Sequence, residues 1–229
     1  MAVSGTYDFN PSLGEITLYA FNLCGIRNTA LLQEHMESAR MAANMILGRW
    51  SSQGVNLWMV DLQTEPLVQG QSTYNVPVST IVMLDTYITT GTGTNEIDRL
   101  ILPISRTEYA SYPNKDQEGF PTTDWQDRLI NGTVSLWPVP DGSQVSLKYY
   151  RVCRIDDANF TDGQTVKVPG YFLEAFAYAM AQRLALIWAP EKIQLIKPLA
   201  DESYDIAVAQ NVETANFYVS PMLSGYFRA

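Results

Sequence analysis

"NTALLQEHMESARMAANMILGRWSSQGVNLWMVDLQTEPL", residues 28–67, changes its hydrophobic period midway. Up to Trp50 the apolar residues recur by threes and fours: Leu32, Met36, Ala39, Ala43, Ile46, Leu47 and Trp50. That single stripe predicts an amphipathic helix over 28–50. Ser51 to Gly54 ends it, and Leu57 to Leu67 then reads as a strand broken by Pro66. A helical layer and a sheet must therefore share one chain.

Upstream, Ser12 and Glu15 have the spacing of a capping box, so a first helix is expected over 12–24, carrying Ile16, Tyr19, Ala20 and Leu23 and stopping near Gly25. Downstream, "QSTYNVPV", "IVMLDTYIT", "IDRLILPIS", "TVSLWPVP" and "QVSLKYYRVC" read as strands, with a Gly- and Asn-rich turn at 90–96. Ser105 and Glu108 frame a short helix, and Asp141-Gly142 is a local hairpin signal. Helical period returns at Pro169 with Leu173, Phe176, Met180, Leu184 and Ile187 on one face and alanines around the rest. Helices are expected over 170–189 and 191–214, the second kinked or restarted at Pro198.

The expected fold class is α+β: a four-helix bundle from both chain ends with an inserted antiparallel β domain and an extended C-terminal arm. The boundaries are 1–56 and 156–215 for the bundle, 57–155 for the β domain and 216–229 for the arm. The arm holds Phe217, Tyr218, Met222, Leu223, Tyr226 and Phe227 without a helical stripe, so it needs a surface to dock on: its own bundle or a neighbour.

The 229 residues can bury a substantial core, in one larger domain or two small ones. Thirteen Tyr and five Trp fit either extensive interfaces or an aromatic β core. The net charge of −9, with no basic run, argues against gripping nucleic acid, although an acidic wall lets DNA slide past. Two cysteines, Cys24 and Cys153, read as buried thiols, and with a single His a zinc site is not expected. No signal peptide and no membrane span of about 18 apolar residues is read.

No Walker A loop, G-x-S-x-G elbow or HExxH motif is present. His35, among Gln33, Glu34 and Glu37, is expected to be solvated. "DDANFTDG", 156–163, lacks the final Glu of a calcium loop. Asp116, Glu118, Asp124 and Asp127, beside Trp125, could mimic a glycosidase pair. Nothing in the sequence raises the pKa of one above the others, so they are read as solvating a loop. No cofactor, metal or catalytic residue is expected, and the protein is not read as an enzyme. The alternative is a carbohydrate-binding or carbohydrate-active module using these carboxylates and aromatics.

"GRWSSQGVNLWMVDLQTEPLVQGQSTYNVPVSTIVMLDTYI" (48–88), "ISRTEYASYPNKDQEGFPTTDWQDR" (104–128) and "VSLWPVPDG" (134–142) together resemble the head-to-tail adaptor proteins of short-tailed bacteriophages and prophages, related in role to tail tubular protein A and head-completion proteins. The likeness covers about residues 30 to 150. It implies a structural virion protein, assembled in the host cytoplasm, that forms a homo-oligomeric ring, commonly of twelve, at the head–tail interface. The ring would bind the portal protein and the tail nozzle protein, in some phages tail fibres, and DNA would pass through its lumen without specific binding. The arm 216–229 would embrace the portal or a neighbour. The irregular stretch 113–125 would be a contact loop, with Lys115, Asp116, Phe120 and Trp125 as its contact residues.

Overall fold

The computed structural model describes residue 5 and residues 9–55, 57–160 and 163–212. The expected arm, with Phe217, Tyr218, Met222, Leu223, Tyr226 and Phe227, lies outside the described residues, whereas the last helix, expected to run to 214, ends at Gln210 with Asn211 as its C-cap.

Helix α1 spans Leu13–Leu23, α2 Gln33–Gln53, α3 Arg106–Ser111, α4 Gly170–Trp188 and α5 Ile193–Gln210. Strands are β1 Val60–Pro66, β2 Thr73–Asn75, β3 Thr80–Thr90, β4 Ile97–Pro103, β5 Glu118–Gly119, β6 Thr123–Asp127, β7 Thr133–Trp137, β8 Val139–Pro140 and β9 Ser146–Cys153. The mixed α+β class is as expected.

The capping box of α1 forms: the Glu15 N–H donates to Ser12 Oγ (3.3 Å) and the Ser12 N–H to Glu15 Oε2 (2.8 Å). Helix α2 starts later than its stripe, because Asn28–Ala30 forms a separate 3-10 turn. His35 then sits in the first turn of α2. Its Nδ1 accepts the Leu32 N–H (3.1 Å), and its ring stacks on Trp188 at 4.1 Å with Phe21 edge-on at 5.7 Å. The expectation of a solvated His35 is therefore corrected: it is 8% exposed. It lies one turn before Ala39 and continues the buried stripe, whereas its polar sequence neighbours face water. Gly54, at φ 73°, ends α2 in the left-handed conformation that glycine adopts most readily.

Helix α4 is the centre of the helical part and packs against α1, α2 and α5. Phe172, Phe176, Met180 and Leu184 are fully buried, and Ala175, Ala177, Ala181 and Ala185 let neighbouring backbones approach. These contacts radiate from one helix and fall short of establishing a closed four-helix bundle. Helix α5 runs unbroken through Pro198, whose exposed position keeps the ring clear of the core.

The strands form a seven-stranded sheet in the order β1-β9-β3-β4-β6-β7-β2, plus a small β5-β8 pair. The expectation of an antiparallel unit is corrected in two places, since β4 with β6 and β5 with β8 run parallel. Chain 104–122, including α3, is long enough to cross back and make the β4–β6 pairing parallel. Strand β6 begins inside the stretch 113–125 expected to be irregular, since "TDWQD" has no apolar alternation to announce it. Asp141-Gly142 turns the chain but makes no hairpin. Asp141 Oδ1 accepts from the Ser143 N–H (2.9 Å), the Ser143 hydroxyl (2.6 Å) and Gln144 Nε2 (2.9 Å). This side-chain turn leaves β9 free to pair with β1 and β3 instead. The turn at 91–95 does make the expected hairpin, and Gly91 is required there: a Cβ would lie 2.4 Å from the Asn95 carbonyl oxygen.

Strands β1 and β2 are consecutive in sequence yet occupy opposite edges of the strand order. Their link can reach only about 25 Å at full extension. A flat sheet of this many strands would separate its edges by about 29 Å. The sheet therefore has to curl. Tyr74 fastens the link, donating to the Val68 carbonyl (3.2 Å) and accepting the Val68 N–H (3.0 Å). Inside the curl Tyr74, Val76, Ile88, Ile101, Val134, Leu136, Leu147 and Tyr149 form one apolar cluster, separate from that around α4.

Leu184 is wholly enclosed by the helical cluster. Leu184→Asp is expected to destabilise the fold by more than about 3 kcal/mol, since the charge would have no buried partner. A thermal melt of the variant that overlays the parent's would show that α4 is not the core helix.

Candidate functional site

Segment 105–125 is rigidly built. Ser105 Oγ caps α3 by accepting the Glu108 N–H (3.1 Å). Tyr109 stacks on Trp125 (5.1 Å between ring centres), and Tyr112 stacks on Trp137 (4.1 Å). Trp137 Nε1 donates to the Asn114 carbonyl (2.9 Å), and Asn114 Oδ1 accepts the Asp116 N–H (3.1 Å). Lys115 Nζ donates to the carbonyls of Ala110 (3.3 Å) and Tyr112 (3.1 Å) and lies 5.7 Å over the Tyr109 ring. A cation at the open C-terminus of a helix satisfies carbonyls that have no helical donor.

Of the four expected contact residues, Lys115 and Asp116 are exposed. Phe120 and Trp125 are half-buried against their own chain: Phe120 packs on the β cluster under the Arg99 guanidinium (5.2 Å), and Trp125 packs on Tyr109. They fix the segment's shape; Lys115 is exposed but its ammonium is bound back to the α3 carbonyls, and Asp116 is exposed beside it. Tyr109 and Tyr112 were missed as parts of this unit; their three-residue spacing after a capped Ser105 was the available signal.

The four carboxylates separate sharply. Asp116 and Glu118 are exposed and Asp127 is half-buried, but Asp124 is only 2% exposed and its Oδ1 has no hydrogen-bond partner. Burial pushes its carboxyl up to about 6. The reading of all four as loop-solvating groups is corrected for Asp124, whose place in a paired strand could not be inferred from an unrecognised β6. The shallow depression beside it also holds Arg106 and Arg128 and no second carboxylate. The two-carboxylate pair of a glycosidase is not assembled there.

A second cleft, of about 430 Å³, lies between α2 and the strand loops and is lined by Asn44, Ser51, Val76, Asp127, Arg154 and Asp157 among others. Its floor is a set of stitches. Asn44 Oδ1 accepts the Ala158 N–H (2.8 Å), Asn44 Nδ2 donates to the Ala158 carbonyl (2.9 Å), and Ser51 Oγ accepts the Ile155 N–H (3.2 Å). These bonds join α2 to the chain leaving β9, a structural use of polar side chains. Among the described residues no group of three or more His, Cys, Asp or Glu is placed to hold a metal ion. Both cysteines are buried, as expected.

Large apolar side chains are exposed instead. On the outer face of the sheet, Leu62 pairs in register with Tyr150, and Leu100 with Tyr87. Leu62, Tyr150, Leu100 and Leu102 are 46%, 40%, 59% and 63% exposed. No helix among the described residues is long and apolar enough to cross a membrane. Lys148, paired with Glu96 and Asp98, lies in register with Tyr87 on the same face, so the apolar side chains share it with an ion pair.

Asp124 gives a pH signature. Its folded pKa of about 6 lies above the ordinary value of 3.8, so the folded state holds the proton more tightly. The Asp124 contribution to stability is thus most favourable below about pH 4 and falls as pH rises through 6. Asp124→Asn is expected to gain up to about 3 kcal/mol more relative to the parent at pH 7 than at pH 4. Paired denaturant melts across that range check this, and a pH-independent difference would contradict it.

A search of curated proteins found no match. The family model described as SU10 adaptor protein matches residues 28–216, which covers α2 to α5 and every strand. By that match the chain belongs to the SU10 adaptor protein family, a family of bacteriophage head–tail adaptors, and is a structural protein of the virion.

Proposed function

We propose that the protein forms a ring, of twelve subunits, that joins the portal to the tail nozzle and continues the DNA channel between them. The observation that carries this reading is the family match over both the helical and the β parts. The exposed apolar row on the sheet supports it, because a monomer has no use for that surface. The net charge of −9 suits a lumen that DNA passes without being held. Lys115, held against α3, and Asp116 are exposed on a pre-ordered segment, which lowers the entropy lost on docking, so that segment is read as facing the nozzle or a neighbouring subunit. The helical parts 1–56 and 156–215 would form the ring body and 57–155 an inserted β unit. Assembly in the host cytoplasm and attachment of tail fibres belong to the same proposal.

Electron-microscopy class averages of the protein mixed with its portal test the reading. Rings of twelve copies seated coaxially on the portal are expected. Portals that remain bare at high adaptor concentration would overturn it.

Residues 216–229 carry six aromatic or bulky apolar side chains proposed as the docking arm: Phe217, Tyr218, Met222, Leu223, Tyr226 and Phe227. Each such side chain contributes roughly 1.5–3 kcal/mol when fully buried, before ordering costs. Truncation at 215 is expected to leave the melting temperature unchanged while abolishing co-sedimentation with portal rings. Undiminished co-sedimentation would remove the arm from the docking surface.

A further inference from the structure

Two exposed faces of the helical part are complementary in both polarity and charge. Helices α2 and α4 run antiparallel, since His35 stacks on Trp188 at one end and Trp50 packs on Phe172 and Phe176 at the other. Their outer surface carries Met41, Met45 and Arg49 from α2, four residues apart, and Arg183, Leu186 and Ile187 from α4. Met41, Met45, Leu186 and Ile187 are 57%, 54%, 63% and 59% exposed. Arg183 Nη1 reaches Met45 Sδ (3.7 Å), which bridges the two helices.

What sets these two arginines apart is that they lie close enough to repel each other on a face of exposed apolar side chains. The ion pairs among the described residues use Lys148, Arg151 and Lys167, and neither Arg49 nor Arg183 has a carboxylate within 4.0 Å. A thioether sulfur is a weak acceptor for a half-buried guanidinium. Burial, and then the charge of Arg49, hold the Arg183 guanidinium below its ordinary pKa. Two uncompensated cations framed by methionines and aliphatics have the composition of an interface core.

Helix α5 presents the counterpart. Leu195, Leu199 and Ile206 are 67%, 45% and 56% exposed, at spacings that put them on one face. Glu202 stands within that stripe, with Asp201 and Asp205 beside it, all exposed and in no ion pair among the described residues. No carboxylate of the stripe lies within 4.0 Å of the arginines of its own chain. Tyr204, on the opposite side of α5, turns toward α2 and donates its hydroxyl to Gln53 Oε1 (3.0 Å), so the stripe faces away.

We propose that these faces are the two halves of one subunit contact: the acidic apolar stripe of α5 on one copy lies on the α2/α4 face of the next, with Glu202 and its neighbouring carboxylates meeting Arg49 and Arg183. Two different patches that recognise each other make a head-to-tail contact, which propagates from copy to copy and gives a ring when the rotation between copies closes. The proposal rests on the ring reading above and says which surfaces make it.

Charge reversal tests it by sedimentation of the full chain up to high concentration. The wild type is expected to self-associate. Arg49→Glu and Glu202→Arg, both at exposed positions, are each expected to weaken association at least tenfold with unchanged melting temperatures. The double variant R49E/E202R is expected to recover much of the loss, because the pair is restored with its charges exchanged. Leu199→Ser should weaken association without any charge change. Single reversals that leave assembly untouched would overturn these faces while the ring itself stands. Loss in both singles without recovery in the double would overturn the pairing. A wild type that stays monomeric at every concentration would overturn the copy-to-copy contact, and the portal-bound particles would then decide separately whether the adaptor reading survives.

Discussion

The fold depends on one aromatic junction. Trp50, near the end of α2, packs against Phe172 and Phe176 of α4 and Tyr204 of α5, and Trp58, just before β1, packs on Phe172 as well. Trp58 Nε1 also donates to the Lys167 carbonyl (3.2 Å), which ties the entry into the sheet to the segment leading into α4. Remove the large rings and three helices lose their common neighbour together with the register between the helical and β parts. Aromatic side chains suit this position because one ring can contact several elements while its polar tip finds a partner. The many Tyr and Trp are therefore in part a core device, and the helical junction as well as the sheet uses them.

A second constraint follows from the short β1–β2 link. Because it forces the sheet to curl, one face is turned inward around Ile88, Leu136, Leu147 and Tyr149, and the other is turned out. Burial of one face leaves the other with whatever alternation the sequence supplies. Here it supplies Leu62, Tyr150, Leu100 and Leu102 beside the paired charges of Lys148 and Asp98. An outer surface of this sort is tolerable only in a protein that meets others, which agrees with membership of an adaptor family.

Much of this was legible in the sequence, where local chemistry and long-range packing agreed. Ser12 and Glu15 cap α1, the 90–96 turn makes its hairpin, and Leu184 is core because its stripe is long. The misses share a cause. His35, β6, Asp124 and the strand after the Asp141 turn, which pairs with β1 and β3, depend on partners distant in sequence. His35 looks polar by its neighbours, but Trp188 and Phe21 cover it. Thr123–Asp127 lacks alternation, yet β4 and β7 supply its ladder and Tyr109 covers Trp125. Asp124 gains its raised pKa only from that enclosure. The adaptor resemblance was legible from ordered segments of 48–142, whereas the family match reaches to 216.

The placement of cations separates fold from function. Lys148 bridges Glu96 and Asp98 at the β3–β4 turn, Arg151 joins Asp61, Ser79 and Thr80 across neighbouring segments, and Lys115 closes α3. Each of these charges has a partner within the chain that explains it. Arg49 and Arg183, like most basic residues here, have no carboxylate within 4.0 Å among the described residues, but these two also repel each other, and Arg183 reaches only the weak acceptor Met45 Sδ, although the chain carries 24 acidic residues against 15 basic ones. With carboxylates in such excess, folding could have supplied a partner, and keeping two guanidiniums apart from all of them concentrates positive charge on one apolar face. Long-range attraction between that face and the acidic remainder of another copy would orient the encounter before any apolar contact forms. Charge then sets which surfaces meet, and the methionines and leucines set how long they stay together.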